Sequence, residues 1–319
     1  MNLLKIAIAM ALLVSAAFGQ ILAPQGRLTL TSNTPVMTMD ATNVSSVYYA
    51  PYVGNNIPIY NGTSMQSNTF SQLTMTLTSS QTNGSIYDLF VFLNSGTVTI
   101  GAGPAWSGVN PLTSRGTGAG TTELEQKSGI WVNKNTITLI NNSTSYSSIP
   151  ADEATYVGSV YMTANGETGV QFAPAAAAGG SGTVIGLWNG YNRVRVTSSS
   201  SDSTSTWTYS GAWRDANNSA SNSIKWLDGL GQTSISAAYD VLGNNSSASG
   251  STNIGVGINA ITTPAINPQV TNTTALFTMH GATMSPPILG LNITNAIERA
   301  TAGTETFYGG SLLTLETEY

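Results

Sequence analysis

Apolar and polar residues alternate in short runs along most of this chain, and turn residues separate the runs. Residues 27–31 (Arg-Leu-Thr-Leu-Thr) and 73–77 (Leu-Thr-Met-Thr-Leu) alternate with the period of two that places one face of a strand in a core and the other in water. Leu89 to Leu93 is apolar throughout, the pattern of a strand buried on both faces, and Asn94-Ser95-Gly96 then predicts a hairpin into Thr97–Ile100. Asn61-Gly62 predicts another turn after Ile57–Tyr60. Further strands are predicted at Ile130–Val132, Thr136–Ile140, Thr155–Met162, Val184–Trp188, Arg193–Val196, Ile224–Leu227, Ile235–Leu242 and Asn253–Ile258, with a closing run from Phe307 to Leu315. One short helical turn is predicted at Thr121–Lys127, and Ser198–Ser205 reads as an exposed polar loop. Strands spaced at roughly 8–12 residues with turns between them are the rhythm of sandwiches and barrels.

The expected fold class is therefore all-β: two antiparallel β-sandwich or jelly-roll-like domains behind a signal-like segment. Met1 to Gln20 has a single basic residue, Lys5, then the apolar stretch Ile6 to Phe18 and the small residues Ala16, Ala17 and Gly19. That is the plan of a secretory signal cleaved after Gly19, with a retained N-terminal anchor as the alternative. Residues 174–182 hold four alanines, with Gly179, Gly180 and Gly182, and read as a linker. The expected division is thus a leader at 1–19, an N-terminal β domain at 20–173, the Ala/Gly linker at 174–182 and a jelly-roll-like domain at 183–319.

Composition narrows the function. Charged residues are 8% of the 319, against about 25% in ordinary soluble proteins, while 41% are hydrophobic. With 6 Trp, 13 Tyr and 7 Phe the chain has the material of a core, so its uncharged polarity belongs to a surface and not to disorder. A net charge of -5 and no basic cluster argue against nucleic acid as a partner. No segment after the leader is long and apolar enough to predict a membrane span. The absence of cysteine removes disulfides, thiol catalysis and Cys-ligated zinc, and no cofactor is expected.

Several short motifs carry a resemblance. Tyr48-Tyr49-Ala50-Pro51-Tyr52-Val53-Gly54-Asn55, Tyr87-Asp88-Leu89-Phe90-Val91-Phe92, Gly103-Pro104-Ala105-Trp106, Thr155-Tyr156-Val157-Gly158, Tyr191-Asn192-Arg193-Val194-Arg195-Val196, Ser203 to Tyr209 and Trp213 to Asn218 follow one another in the chain. In this order they resemble motifs of tail-fibre and other β-rich virion proteins of tailed bacteriophages. The resemblance runs from Gly26 to about Gly257. It implies a structural or receptor-binding, non-enzymatic protein in a virion or at a cell surface, and it brings no catalytic set. The ending Glu305–Leu313 is similar, at the level of fold, to the last strand of trimeric jelly rolls, which implies a homotrimer.

Candidate chemistry is sparse. His280 is the only histidine and has no Gly-x-Ser-x-Gly elbow near it, so a Ser-His-Asp triad is disfavoured. Glycoside hydrolysis needs two opposed carboxyl groups. Asp152, Glu153, Asp202, Asp215 and Asp228 are the available ones, and nothing in their spacing separates them from loop carboxylates. Aromatic residues crowd between Trp188 and Trp226. Rings stack on the apolar faces of sugars as well as in cores. The expected ligand is a host-surface glycan. Its expected site is Trp207, Tyr209 and Trp213 after the Ser198–Ser205 loop, with Arg214 and Asp215 hydrogen-bonding to hydroxyls. A secreted bacterial adhesin is the alternative function, and a polysaccharide-degrading spike a further one.

Overall fold

A computed structural model describes residues 23–265, 269–271 and 274–319. The predicted leader, Met1 to Gln20, lies outside the described residues. The described chain is all-β, as its alternation predicts, with a single turn of 3-10 helix at Ala216–Asn218. No helix among the described residues is long and apolar enough to cross a membrane.

The continuous apolar run is a strand, Ile86–Asn94, buried from Ile86 to Phe92. It pairs antiparallel with Thr97–Ala105 through the predicted turn, where Ser95 and Gly96 have φ of 49° and 84°. Two consecutive positive φ values give the hairpin twist that matches the strands it joins. On its other edge Ile86–Asn94 pairs with Ala154–Tyr161, and these strands form the centre of an eight-stranded sheet. The helical turn expected at Thr121–Lys127 does not form. Leu124–Lys127 is instead a strand that folds back on Ile130–Asn133 at Ser128-Gly129, both with positive φ.

The second large sheet is built on one strand, Gly290–Glu318, hereafter the spine. One edge of the spine takes Ser223–Asp228, then Thr206–Asp215, then Arg195–Asp202. The other takes Ser251–Ile258 and then Ile235–Asn245. The predicted loop Ser198–Ser205 is therefore mostly strand. Ser198, Ser200 and Asp202 are buried, and the two serine hydroxyls donate to the carbonyls of Gln171 and Ser221. A polar run with short side chains fits a buried strand when each hydroxyl finds a carbonyl. The closing run Phe307–Leu315 likewise lies mid-sheet, with Phe307, Leu313 and Leu315 in the core and partners on both edges.

The hydrogen bonding does not divide at residues 174–182. Ala41–Val44 and Thr168–Val170, before that segment, belong to the spine sheet. Leu187–Asn189, after it, pairs with Ala154–Tyr161. Ala177 forms a parallel bridge to Asp202, and the Gly179 N–H donates to the Asp202 carboxylate at 2.9 Å. The expected Ala/Gly linker is a fastened connection. One core cluster joins Leu28, Leu89 and Val157 to Trp226, Tyr239 and Leu315, and a second joins Phe90 and Trp106 to Trp188 and Leu291.

Candidate functional site

The five residues proposed from sequence split into two groups. Trp207 is buried, at 8% exposure, and stacks on Phe307 with ring centroids 5.4 Å apart. Its Nε1–H donates to Glu298 Oε2 at 2.8 Å. Arg214 donates to the other oxygen of the same carboxylate twice, from Nε at 2.9 Å and Nη2 at 2.7 Å. The Arg214 guanidinium lies 3.6 Å from the centre of the Tyr209 ring, and the Tyr209 hydroxyl donates to the Ala212 carbonyl. Burial pushes the Glu298 carboxyl up from its ordinary range, against the opposing pull of Trp207 and Arg214. Trp207 is thus a core residue and not a free stacking face, and the half-buried Arg214 and Tyr209 have their polar groups engaged by Glu298 and the Ala212 carbonyl.

Trp213 and Asp215 face the other way. They lie on the face of the spine opposite Glu298, where Leu291, Asn295 and Ile297 are buried and Ile293, Arg299 and Thr301 are partly exposed; this partly covered face is called the outer face below. Asp215 helps to line a cleft of about 720 Å³ with Lys225, Asn259, Asn295, Ile261 and Ile293. Trp213 lines a pocket of about 370 Å³ with Arg299, Thr262 and Thr301. The turn after Ser251–Ile258 separates the two spaces: Asn259 to Ile261 border the cleft, and Thr262 borders the pocket. Both volumes fall in the range of ligand sites, roughly 300–1,000 Å³.

The loop carrying Asn110, Leu112 and Thr113 also lines the cleft. That loop crosses the start of the spine so closely that the Leu291 N–H donates to the Leu112 carbonyl at 2.8 Å. Gly290 makes the crossing possible. Its φ is +97°, and a Cβ there would stand 2.0 Å from the Leu112 carbonyl oxygen. The site is consequently built from both halves of the chain.

Its electrostatics are unusual for so weakly charged a protein. Arg115 is paired with Asp88, Lys127 with Asp152, Lys134 with Glu123, Arg193 with Glu318, Arg195 with Glu316 and Arg214 with Glu298. Arg27 donates to the carbonyls of Asn192, Pro35 and Tyr319. Among the described residues, the Lys and Arg side chains left with neither ion pair nor hydrogen bond are Lys225 and Arg299, and both line this face. Between them, Asp215 has a buried Oδ1 without a hydrogen-bond partner, and burial raises its pKa.

Three of the other carboxylates weighed from sequence, Asp202, Asp228 and Asp152, are occupied. Asp202 is buried and accepts from Gly179 and Thr204 backbone N–H groups and from the amides of Asn217 and Asn222. Burial works to raise its pKa, but these donors outweigh it and hold the carboxyl below its usual range. Asp228 accepts four backbone N–H groups, from Leu230 to Thr233, and so shapes that loop. Asp152 holds Lys127 at 2.5 Å. His280 Nδ1 lies 2.7 Å from Asp240 Oδ1 across the antiparallel pair Ile235–Asn245 and Phe277–Ser285, both side chains exposed.

The sequence reading named Trp213 and Asp215 on this face and did not name Lys225, Asn295 or Arg299. Cations are few, with 10 Lys and Arg in 319 residues, so each invited inspection. Which of them lack a partner is a fact of tertiary structure alone.

No family model matches the chain, and no curated protein matches it. Among solved structures, the insecticidal delta-endotoxin Cry8Ea1 of Bacillus thuringiensis overlaps 91% of this chain at 7% identity and a TM-score of 0.20; the chain spans 51% of that toxin's length. The structure of infectious bursal disease virus, Gx strain, overlaps 92% of this chain and 69% of its own at 12% identity and a TM-score of 0.25. Overlaps this loose leave function to be read from the site.

Proposed function

We propose that this chain is a non-catalytic, surface-displayed binding protein of the phage tail-fibre kind, and that it holds a glycan along the outer face of the spine. One observation carries the reading. Trp213 stands in a pocket beside a cleft whose polar groups, Asp215, Asn259 and Asn295, sit among the apolar side chains of Ile261 and Ile293. Sugars present that combination, with apolar ring faces for stacking and hydroxyls for hydrogen bonds. A single shallow site binds weakly, so several copies in one assembly, such as a homotrimer, raise the effective affinity.

A second reading is favoured by the leader-like Met1 to Gln20, which suits an exported bacterial adhesin. Tail and baseplate genes beside this one identify the first; their absence identifies the second.

The test is a glycan array probed with the wild-type protein, Trp213→Ala and Asp215→Asn. Both variants are expected to keep the wild-type circular dichroism spectrum and melting temperature and to lose array binding. Full binding by both variants, or no binding by the wild type, removes the reading.

A further inference from the structure

We infer that the ligand is an extended, sparsely acidic polysaccharide, whose carboxylates are received by Lys225 at one end of the face and Arg299 at the other. This rests on the glycan reading above and names the class of glycan.

The charge pattern is the ground for it. In a chain that pairs or hydrogen-bonds its other described cations, the two left over share one concave face. A free guanidinium recognises a carboxylate through two parallel hydrogen bonds, and an ammonium does so as a point charge. Among the described residues no Asp or Glu lines the Trp213 pocket, so Arg299 meets no competing charge from them. The indole of Trp213 and the Thr262 hydroxyl complete a subsite for one acidic sugar: a ring face for stacking, a hydroxyl for hydrogen bonding and a cation for the carboxylate.

Register sets the length. Lys225 pairs with Ile293 of the spine, Asp215 with Ile297, and Arg299 is in the spine itself. At about 3.3 Å per residue, the six residues from Ile293 to Arg299 place the two cations roughly 20 Å apart. A monosaccharide does not reach both, and a chain of several sugars does. Asp215 stands between them. Its carboxylate repels a negative sugar and accepts hydrogen bonds from a neutral one. The face therefore reads plus, minus, plus. Its complement is a chain with isolated carboxylates separated by neutral units, and not a continuous polyuronate.

The test uses an array with four probe classes: neutral oligosaccharides, oligosaccharides with isolated uronic or sialic acid units, the carboxyl-reduced forms of these, and oligogalacturonates. Wild type, Arg299→Gln, Lys225→Gln and the double variant are compared, with circular dichroism as the folding control. Wild type is expected to prefer the sparsely acidic probes. Each single variant should weaken that binding by about tenfold or more, as for loss of a charge-assisted contact. The double variant should bind the acidic probes no better than wild type binds their reduced forms, and should lose the salt dependence seen in wild type. Wild-type binding confined to neutral probes and unchanged by Arg299→Gln and Lys225→Gln overturns this inference and leaves the glycan reading standing. Acidic-probe binding indifferent to both substitutions, or equal preference for oligogalacturonate, also overturns it. A wild type that binds no probe at all removes the glycan reading itself.

Discussion

Trp207 and Trp213 lie six residues apart in one strand, a spacing that puts both on the same face of a regular ladder. They take opposite faces because the strand carries one extra residue between Gly211 and Arg214, three steps of it lying against two of the spine from Ala300 to Glu298. Bulges re-aim the side chains that follow them, and an aromatic-rich sequence gives no sign of where they fall. The two tryptophans should therefore respond differently to removal. Trp207→Ala is expected to cost about 3–5 kcal/mol in chemical denaturation, the usual loss for a buried tryptophan. Trp213→Ala should stay within about 0.5 kcal/mol of wild type. Arg214→Ala leaves Glu298 buried and unpaired and should cost about 3–5 kcal/mol. A loss below 1 kcal/mol in Trp207→Ala or Arg214→Ala contradicts the role given to that residue. A second buried carboxyl, Glu305, has its pKa raised to about 7 by burial, reinforced by the charge of Glu298 and opposed by its contact with the Thr252 hydroxyl. The folded state thus holds this proton more tightly than the unfolded chain. The resulting stability is fully present below the unfolded value of 4.5 and is lost as pH rises through about 7. Urea melts should show stability falling between pH 5 and pH 8 by at most about 3 kcal/mol, and Glu305→Gln should flatten that slope. A slope of the same size in the variant assigns the effect elsewhere.

The same shift of face recurs at the scale of the elements. Along the spine the even-numbered residues from Asn292 to Ala300 are buried, and beyond the bend the odd-numbered Glu305, Phe307, Leu313 and Leu315 are. The change happens at Ala302-Gly303, where φ is 53° and 80°. Both flanking edges give way at the same level. Thr206–Asp215 has its register shifts around Gly211, and the other edge breaks at the turn from Ser246 to Gly250 between two strands. The sheet bends as a unit there, which lets Glu298 and Glu305 enter one interior from opposite parities. Gly303 is needed for the bend: a Cβ would stand 2.4 Å from Asn245 Oδ1 in a backbone conformation that side chains rarely adopt. Gly303→Val should lower stability by about 1–3 kcal/mol with the spectrum still that of a β protein, and an unchanged melting temperature would show the bend to be tolerant. Strand existence was legible from alternation alone, as at Leu73–Thr76, and the Asn94-Ser95-Gly96 turn from its residues. Ser198–Asp202 was not legible, because a serine run has no hydrophobic period and its burial depends on carbonyls supplied by Gln171 and Ser221.

At the scale of the whole molecule, composition pointed to a joint that the contacts do not contain. Residues 174–182 look like a linker because Ala and Gly lack side chains to pack, yet their backbone is held by Asp202, Thr204 and Ser203, and the Ser181 hydroxyl donates to the Ser201 carbonyl. The early and late parts of the chain meet well away from that segment. Arg27 donates to the Tyr319 carbonyl at 2.7 Å with its guanidinium 4.2 Å from the Tyr319 ring centre, and the Met37 N–H donates to the Tyr319 hydroxyl. Leu28 exchanges hydrogen bonds with the Asn189 side chain in both directions. Strands on both sides of residues 174–182 share two sheets and two core clusters, so neither side buries its apolar face alone. The unit of folding is accordingly expected to be the whole described chain. A protease site inserted between Ala176 and Ala177, where the side chains are exposed, tests this in the full-length protein. After cleavage the two fragments should co-elute at the size of the intact chain and melt together in one calorimetric transition, at a lower temperature than the uncut protein because the connection no longer limits the unfolded state. Separation into two folded species, or two independent transitions before and after cutting, would restore the division that the alanines and glycines suggest. Such a division would also open the cleft, since the loop from Asn110 to Thr113 comes from one side of the cut and Asp215, Lys225 and Asn295 from the other.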